Sequence, residues 1–483
     1  MTARRFCALL LAASLASCTV GPKDTPPTVE VPLAYRATST TAEAAWPSDF
    51  WWRGFGSLEL NGLIDAARAD NFDLAAAVAR VAQADAQLTI AGAPLLPAAG
   101  ASAKESWTRQ QTTRRVGGSF ATTTGYTETR LYNLTPSISW ELDFWGRVRS
   151  TRDSALASAL ATRFDQQTVA LTVVTSVASV WFQALAQQDR LDISGRNIAD
   201  AEQVLEAVRA RRSVGTASEL DVAQQETLVA NLRAQTPALR NQLEQQLNAL
   251  GVLTGRPASA ITVRPGTLTN LSLPETAPGV PSSLLARRPD IASAEASLRA
   301  ANANIRVARA AMFPQFELTG SAGWQNIALP LLFGPGSLFA NAALSATQTI
   351  FDNGAKGAQV SFSQARYDEV LANYRKTVIQ AFTDVENAIT AYRFTTEQEA
   401  LTRQAVVTAQ RAADIARAQV LAGTIDIVTA LQTQTALFND LDALAQVRLA
   451  RFQALLSLYK ALGGGWSKSD IAAPDPSLLQ GIL

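Results

Sequence analysis

Apolar and polar positions switch between two periods along this chain, and the switches predict alternating helical and extended segments. From Leu58 to Ile90 apolar residues and alanines recur at three and four, the spacing of one helix face, until Pro94 and Pro97 end the run. After Pro97 the period becomes two. In 132–144, Tyr132, Leu134, Pro136, Ile138, Trp140, Leu142 and Phe144 alternate with Asn133, Thr135, Ser137, Ser139, Glu141 and Asp143. Such a run extends roughly 40 Å, enough for a tilted crossing of a hydrocarbon layer. The alternation returns with Phe316, Leu318, Ala322 and Trp324 against Gln315, Glu317, Thr319, Ser321 and Gln325. Two more strands are predicted near 98–111 and 338–351. A polar, Gly-rich loop at about 112–127 joins the first two strands, and a Pro/Gly loop around Leu329 to Gly336 joins the others.

The helical segments that follow are long. No proline interrupts the chain between Pro136 and Pro237, or between Pro335 and Pro474. Apolar residues keep helical spacing at Leu401, Ala405, Ala409, Ala412, Ala416 and Val420, and so much alanine in a seam permits close helix approach. Gly146 to Gly215 is 69 positions, as is Gly354 to Gly423. A helical path of that length reaches about 100 Å. Each path turns at a glycine and returns, at about 218–252 and 426–462.

These spacings expose an internal duplication. Gly146, Gly215 and Gly255 recur 208 positions later as Gly354, Gly423 and Gly463, while Asp73 and Pro97 recur 217 positions later as Asp290 and Pro314. Nine residues are therefore missing from the second copy between Pro314 and Gly354, a difference the 112–127 loop can absorb. A repeat this long is a duplicated fold unit, not a solenoid repeat of ~20–50 residues.

Four strands cannot close a barrel, and an open edge in lipid leaves unpaired backbone groups costing several kcal/mol each. Two chains would supply eight strands around a filled interior, and three would supply twelve around a polar lumen. Asn133, Thr135, Ser137, Ser139, Glu141 and Asp143 would line that lumen. A soluble sheet with an exposed edge is the plainer reading of the strands, but it rarely runs this long, and Pro136 would be awkward in a central strand of a soluble sheet.

Composition narrows the classes further. Charged residues are 17% of the chain against a usual ~25%. The net charge of +1 gives no argument for a nucleic-acid partner. There is no histidine, which removes Ser-His and Cys-His nucleophile pairs and histidine metal sites. Glu141 and Asp143 share a strand face about 7 Å apart, a spacing open to a glycosidase pair, but lining a wet lumen explains them better. No catalytic residue, metal or cofactor is expected. No later segment carries ~18 consecutive apolar residues, so any crossing falls to strands.

The N-terminus has Arg4 and Arg5 before a short apolar stretch, Phe6 to Ala16, and then Leu15-Ala16-Ser17-Cys18. This resembles the lipobox of bacterial lipoproteins, in which the signal is cut before the Cys and that Cys carries the lipid. Cys18 would then be the only thiol of the mature chain, which rules out an intrachain disulfide. Thr19 after the Cys implies the outer membrane.

The lipobox with Thr19-Val20-Gly21-Pro22, the stretch Trp140-Glu141-Leu142-Asp143-Phe144-Trp145-Gly146-Arg147, Arg288-Pro289-Asp290-Ile291 and Ala461-Leu462-Gly463-Gly464-Gly465-Trp466 together resemble the TolC-type outer-membrane factors, in their NodT/OprM-like lipoprotein branch. The resemblance covers essentially the whole mature chain. It implies an α+β membrane protein with four transmembrane β-strands and duplicated long helical hairpins per chain. The homotrimer would form a 12-stranded β-barrel and a periplasmic α-helical barrel. It implies the passive exit duct of a tripartite efflux pump, with an inner-membrane transporter and a periplasmic adaptor as partners, or alternatively the channel of a type I secretion system. Adaptors would dock on the tips Val214-Gly215-Thr216 and Ala422-Gly423-Thr424, although glycine also simply permits a left-handed helix end there. A periplasmic gate is implied at Val428 and Gln432, with Thr429 where some members carry Asp, Ile425 where some carry a latching Arg, and Asp221 at an acidic latch position. A neutral gate follows.

The expected segments are a signal peptide (1–17), a lipid-anchored tether (18–57), a helix of the first repeat (58–97), the first β-hairpin (98–145) and the first long helical hairpin (146–255). A linker (256–283) leads to a second helix (284–313), β-hairpin (314–352) and helical hairpin (353–466), then a C-terminal tail (467–483). A purely periplasmic coiled-coil spacer would explain the alanine-rich helices but not the strands.

Overall fold

The computed structural model describes residues 21, 28–36, 46–115, 122–274, 279 and 281–467. Cys18 and the tail beyond 467 lie outside these residues, as do 116–121 between the first two strands.

In chain order the main elements are α1 (Leu58–Asp70), α2 (Phe72–Gly92), β1 (Ala98–Arg115), β2 (Thr122–Leu142), α3 (Arg147–Ser213), α4 (Glu219–Leu253), α5 (Pro289–Ala310), β3 (Gln315–Asn326), β4 (Leu338–Thr347), α6 (Ala355–Ala422) and α7 (Ile427–Ala461). The helical run expected from Leu58 to Ile90 breaks at Asn71. Asn71 takes an extended ψ of 128°, its side chain accepts from the Leu74 N–H at 2.9 Å, and its amide donates to the Leu253 carbonyl at 2.8 Å. An asparagine competes with helix continuation and caps the next segment instead.

The four strands form one antiparallel sheet in the order β1-β2-β3-β4. The first hairpin pairs from Ala98 with Ser139 out to Arg115 with Thr122, while the second pairs only from Gln315 with Thr347 to Trp324 with Leu338. The segment expected as a loop at 112–127 is therefore largely strand. The nine-residue difference lengthens the first hairpin rather than its connection. Periodicity missed this because threonines and arginines occupy both faces there, and period-two patterning is legible only where one face is apolar. At the other edge, β4 ends at Thr347, short of the expected 351.

The long helices match the expected spans closely. The first of each pair has 67 or 68 residues, about 100 Å at helical rise. Each starts at a left-handed glycine, Gly146 or Gly354, beside an aspartate that satisfies free N–H groups. Asp143 accepts from Val148 and Arg149 at 3.0 and 2.8 Å. Asp352 accepts from Gly354 and Lys356, each at 3.0 Å. Anionic oxygen at a helix start also favours the helix dipole.

The largest core lies where the paired helices meet the N-terminal aromatic segment. Trp51 stacks on Tyr459 at 4.7 Å, and Phe182 joins Phe55 and Phe452 at 5.0 and 4.9 Å. α3 is by composition apolar enough to cross a membrane, but 56% of that stretch is buried inside the protein. Its Val173, Val177, Trp181 and Phe182 fill this core. A second core runs toward the tips and joins all four long helices, through Val204 and Val208, Val222 and Val229, Ala416 and Val420, and Ile427 and Ala430. In this core Ala413, Ala416 and Val420 form the α6 seam, while Leu401 and Ala412 of the expected seam are exposed in the single chain.

Candidate functional site: hairpin tips and the polar strand face

The two tips close with the same hydrogen bonds. In the first, the Thr216 N–H and hydroxyl donate to the Arg211 carbonyl at 2.9 and 3.0 Å. In the second, those of Thr424 donate to the Gln419 carbonyl at 2.9 and 3.2 Å. Gly215 and Gly423, at φ 79° and 73°, provide the left-handed residue that this closure needs. Val214 and Leu421 are exposed beside them.

The returning helices start differently. Ser218 and Asp221 form a reciprocal capping box on α4. On α7, Asp426 accepts from the Thr429 N–H and hydroxyl, both at 2.9 Å. The Asp426 carboxyl lies below the usual aspartate range because of those Thr429 bonds, the backbone one first. Asp221 and Thr429 are thus both committed to helix caps. Val428 and Gln432, one turn apart on α7, are both exposed, and their faces carry no charge.

Around the tips the chemistry is unequal. The first holds the ion pairs Arg209–Glu226 and Arg212–Glu219. The second has Asp426 as its only charge between Ala418 and Thr433. Arg211 joins the two. Its guanidinium donates to the Val420 carbonyl at the end of α6 at 2.8 Å and to its own tip's Thr216 carbonyl at 3.1 Å. Nearby, Arg417 of α6 bonds Gln203 and pairs with Asp200 of α3 at 3.5 Å. Sequence reasoning missed Arg211; the available signal was a cation one turn before the tip glycine, where free carbonyls end a helix.

On the sheet, strand register keeps the polar residues of β2 together with those of β3. Asn133 lies opposite Gln325, Ser137 opposite Ser321, Ser139 opposite Thr319 and Glu141 opposite Glu317. Thr135 shares this face, opposite Ser102 of β1, and its hydroxyl bonds Asn133. Asp143 does not belong to the row: the strand ends at Leu142, and Asp143 serves the start of α3. Glu141 takes both Nε and Nη2 of Arg147, at 2.9 and 2.5 Å. Asp143 also binds the Arg149 side chain at 3.2 Å. Two carboxylates so engaged are not free to act as an acid and base pair.

The comparisons with known proteins agree with this architecture. The family model for outer membrane efflux proteins matches residues 63–256 and 280–464, one match per repeat. The chain is 39% identical over 467 residues to a pyoverdine export outer membrane protein of Pseudomonas putida, covering 96% of this chain and 98% of the relative. It is 31% identical over 464 residues to an outer membrane protein, OprJ, of Pseudomonas aeruginosa, with 95% and 96% covered. Among solved structures, the outer-membrane channel OprN aligns with a TM-score of 0.84 at 26% identity, covering 93% of this chain and all of that one. The sheet, the duplicated hairpins and these matches together make the chain an outer-membrane channel protein of efflux systems. It belongs to the outer membrane efflux protein family.

Proposed function

We propose that three copies of this chain close into a 12-stranded β-barrel continued by a six-hairpin helical barrel, forming the passive exit duct of a tripartite efflux pump. The observation that carries this reading is the sheet itself. Its edges, β1 and β4, have no partner within the described chain, and in lipid such edges must be paired. The duplication makes three chains quasi-sixfold. In this reading Cys18 carries the lipid anchor, and the row Asn133, Thr135, Ser137, Ser139 and Glu141 faces the lumen. The tips Val214-Gly215-Thr216 and Ala422-Gly423-Thr424 receive a periplasmic adaptor that links the duct to an inner-membrane transporter.

Val428 and Gln432 form a neutral constriction just inside the second tip. The transporter supplies the energy, and the duct performs no chemistry. The 39% identity to a protein named for pyoverdine export supports a small-molecule cargo over a secreted polypeptide. Native mass spectrometry of the detergent-solubilised protein tests the assembly: a trimer is expected, and a stable monomer sinks the reading. The mass of the mature N-terminal peptide tests the lipid on Cys18.

A further inference from the structure

The duplication fixes more than the number of strands. Within the chain, Ala98 pairs with Ser139 and Gln315 pairs with Thr347. The first members of these pairs are separated by 217 positions and the second by 208, the two offsets of the repeat. The repeat therefore preserves strand register as well as sequence. The β2–β3 junction, which is inside the chain, must then have a counterpart between β4 of one copy and β1 of the next. In the β2–β3 junction Ser137 pairs with Ser321. Moving Ser137 forward by 208 and Ser321 back by 217 gives Ser345 and Lys104.

This register passes an independent check. It places Asn341, Ser345 and Thr347 of β4 on the same side as Ser102, Lys104 and Ser106 of β1. Leu338, Leu344 and Ala346 then share the opposite side with Ala103 and Trp107. Glu105, Arg109 and Gln111, opposite Leu344, Ala340 and Leu338, are the exceptions on that side; between Asn341 and Thr347 a slip of one residue would still set most polar residues against apolar ones.

The register also brings together two unpartnered charges. Glu317 is exposed on the polar face and lies opposite Glu141, a like-charge arrangement that is unfavourable without a cation. Arg147 is committed to Glu141, and among the described residues none donates to the Glu317 carboxylate. Lys104 is exposed on the same face of the opposite edge strand, and among the described residues it has no acceptor. Ser345 sits beside Glu317 within the chain. With Lys104 of the next copy beside Ser345, the lysine and Glu317 stand two strands apart, about 10 Å between backbones, within the combined reach of their side chains.

We propose that the closing junction of the barrel sets Lys104 of one copy beside Ser345 of its neighbour, so that Lys104 neutralises the neighbour's Glu317 in three equivalent inter-chain ion pairs. The proposal rests on the trimeric reading above and adds its register. A K104C/S345C double variant, treated with a short bifunctional thiol reagent, is expected to give a covalent trimer on denaturing gels. S102C/S345C and S106C/S345C, each slipped by two residues, are expected to give far less. Cross-linking by a slipped pair in preference to the first overturns the register while leaving the trimer standing. A monomer by native mass spectrometry overturns the trimer itself. The ion pair is tested separately by a double-mutant cycle on the trimer's melting temperature. E317K is expected to lower it in the native background and to restore it in the K104E background, and an equal effect in both backgrounds overturns the pair.

Discussion

Asp221 accepts from the Ser218 backbone N–H at 2.7 Å, and the Ser218 hydroxyl accepts from the Asp221 N–H at 3.1 Å. Carried 208 positions on, these two residues become Asp426 and Thr429. The carboxylate has moved three residues, from inside the first turn to the cap itself, yet both tips keep a capping carboxylate at the positive end of the returning helix. The difference between Asp221 and Thr429 is thus an exchange of capping roles, and the charge is spent locally rather than across a gate.

Loss of these caps should fray the tips without disturbing the barrel. Ser218→Ala is expected to cost about 1 kcal/mol of local helix stability, read as faster hydrogen exchange at the Asp221 and Val222 amides. The second tip adds a pH dependence. Asp426 has a lowered carboxyl pKa, so its contribution is present above the ordinary aspartate range and is lost as pH falls through the lowered value. Protection of the Thr429 amide should therefore persist at neutral pH and fade only in acid below about 3.9, the unperturbed value. Exchange at Thr429 that accelerates already between pH 7 and 5 contradicts the cap.

Much of this was legible in the sequence for physical reasons that can be named. Strands facing an apolar medium on one side and water on the other must alternate, so 132–142 could be read directly. The long helices were bracketed by glycines whose left-handed conformation no other residue adopts cheaply. What failed was set by other forces. The outer half of the first hairpin, around Thr112 and Thr127, is polar on both faces and leaves no period-two trace. The role of Asp143 at the start of α3 depends on a chain reversal at Gly146 that patterning does not contain. Arg211 was hidden because its acceptor, Val420, is 209 residues away.

Arg211 and Gly423 give a prediction at the tips. A Cβ on Gly423 would sit 3.4 Å from Arg211 Nη2, and a β-branched residue at φ 73° is strained in any surroundings. Gly423→Val is expected to abolish drug export in cells that depend on this pump while the trimer still assembles. Arg211→Ala unhooks α3 from the end of α6, and its larger or more frequent open events in planar bilayers would mark the bond as a restraint on the tips. Native export by Gly423→Val would refute the docking role, and native conductance in Arg211→Ala would reduce its bond to a local cap.

The proposed neutral constriction is testable by adding charge. Val428 and Gln432 share an exposed face of α7 that holds no carboxylate. Gln432→Asp in three copies would set three acids around the lumen, and cation-dependent conductance block is expected in planar bilayers for the variant and not for the native channel. The three charges would stand close enough for a divalent ion to be held in a low-dielectric passage. An unchanged current in the presence of divalent ions would place Gln432 outside the constriction.

Midway along the helices, Glu399 is nearly fully buried and accepts from Arg403, Arg448 and Arg451 at 2.8, 3.2 and 3.0 Å. Arg448 also donates to Thr269 at 2.6 Å, tying α6 and α7 to the linker between repeats. Burial pushes the Glu399 carboxyl up, but hydrogen bonds from Arg451 and Arg448 outweigh it and hold the pKa below the usual range. The knot therefore contributes fully above the ordinary glutamate range and weakens only as pH falls through the lowered value. Glu399→Gln leaves three guanidinium groups facing one another around a neutral amide. The expected cost is about 3 kcal/mol, because breaking a buried pair strands its charges, and the melting temperature should fall accordingly. Arg403 is 60% exposed, so Arg403→Ala should cost less than about 1 kcal/mol, as surface pairs do. Equal losses in the two variants would mean that Glu399 is held by its packing rather than by its arginines.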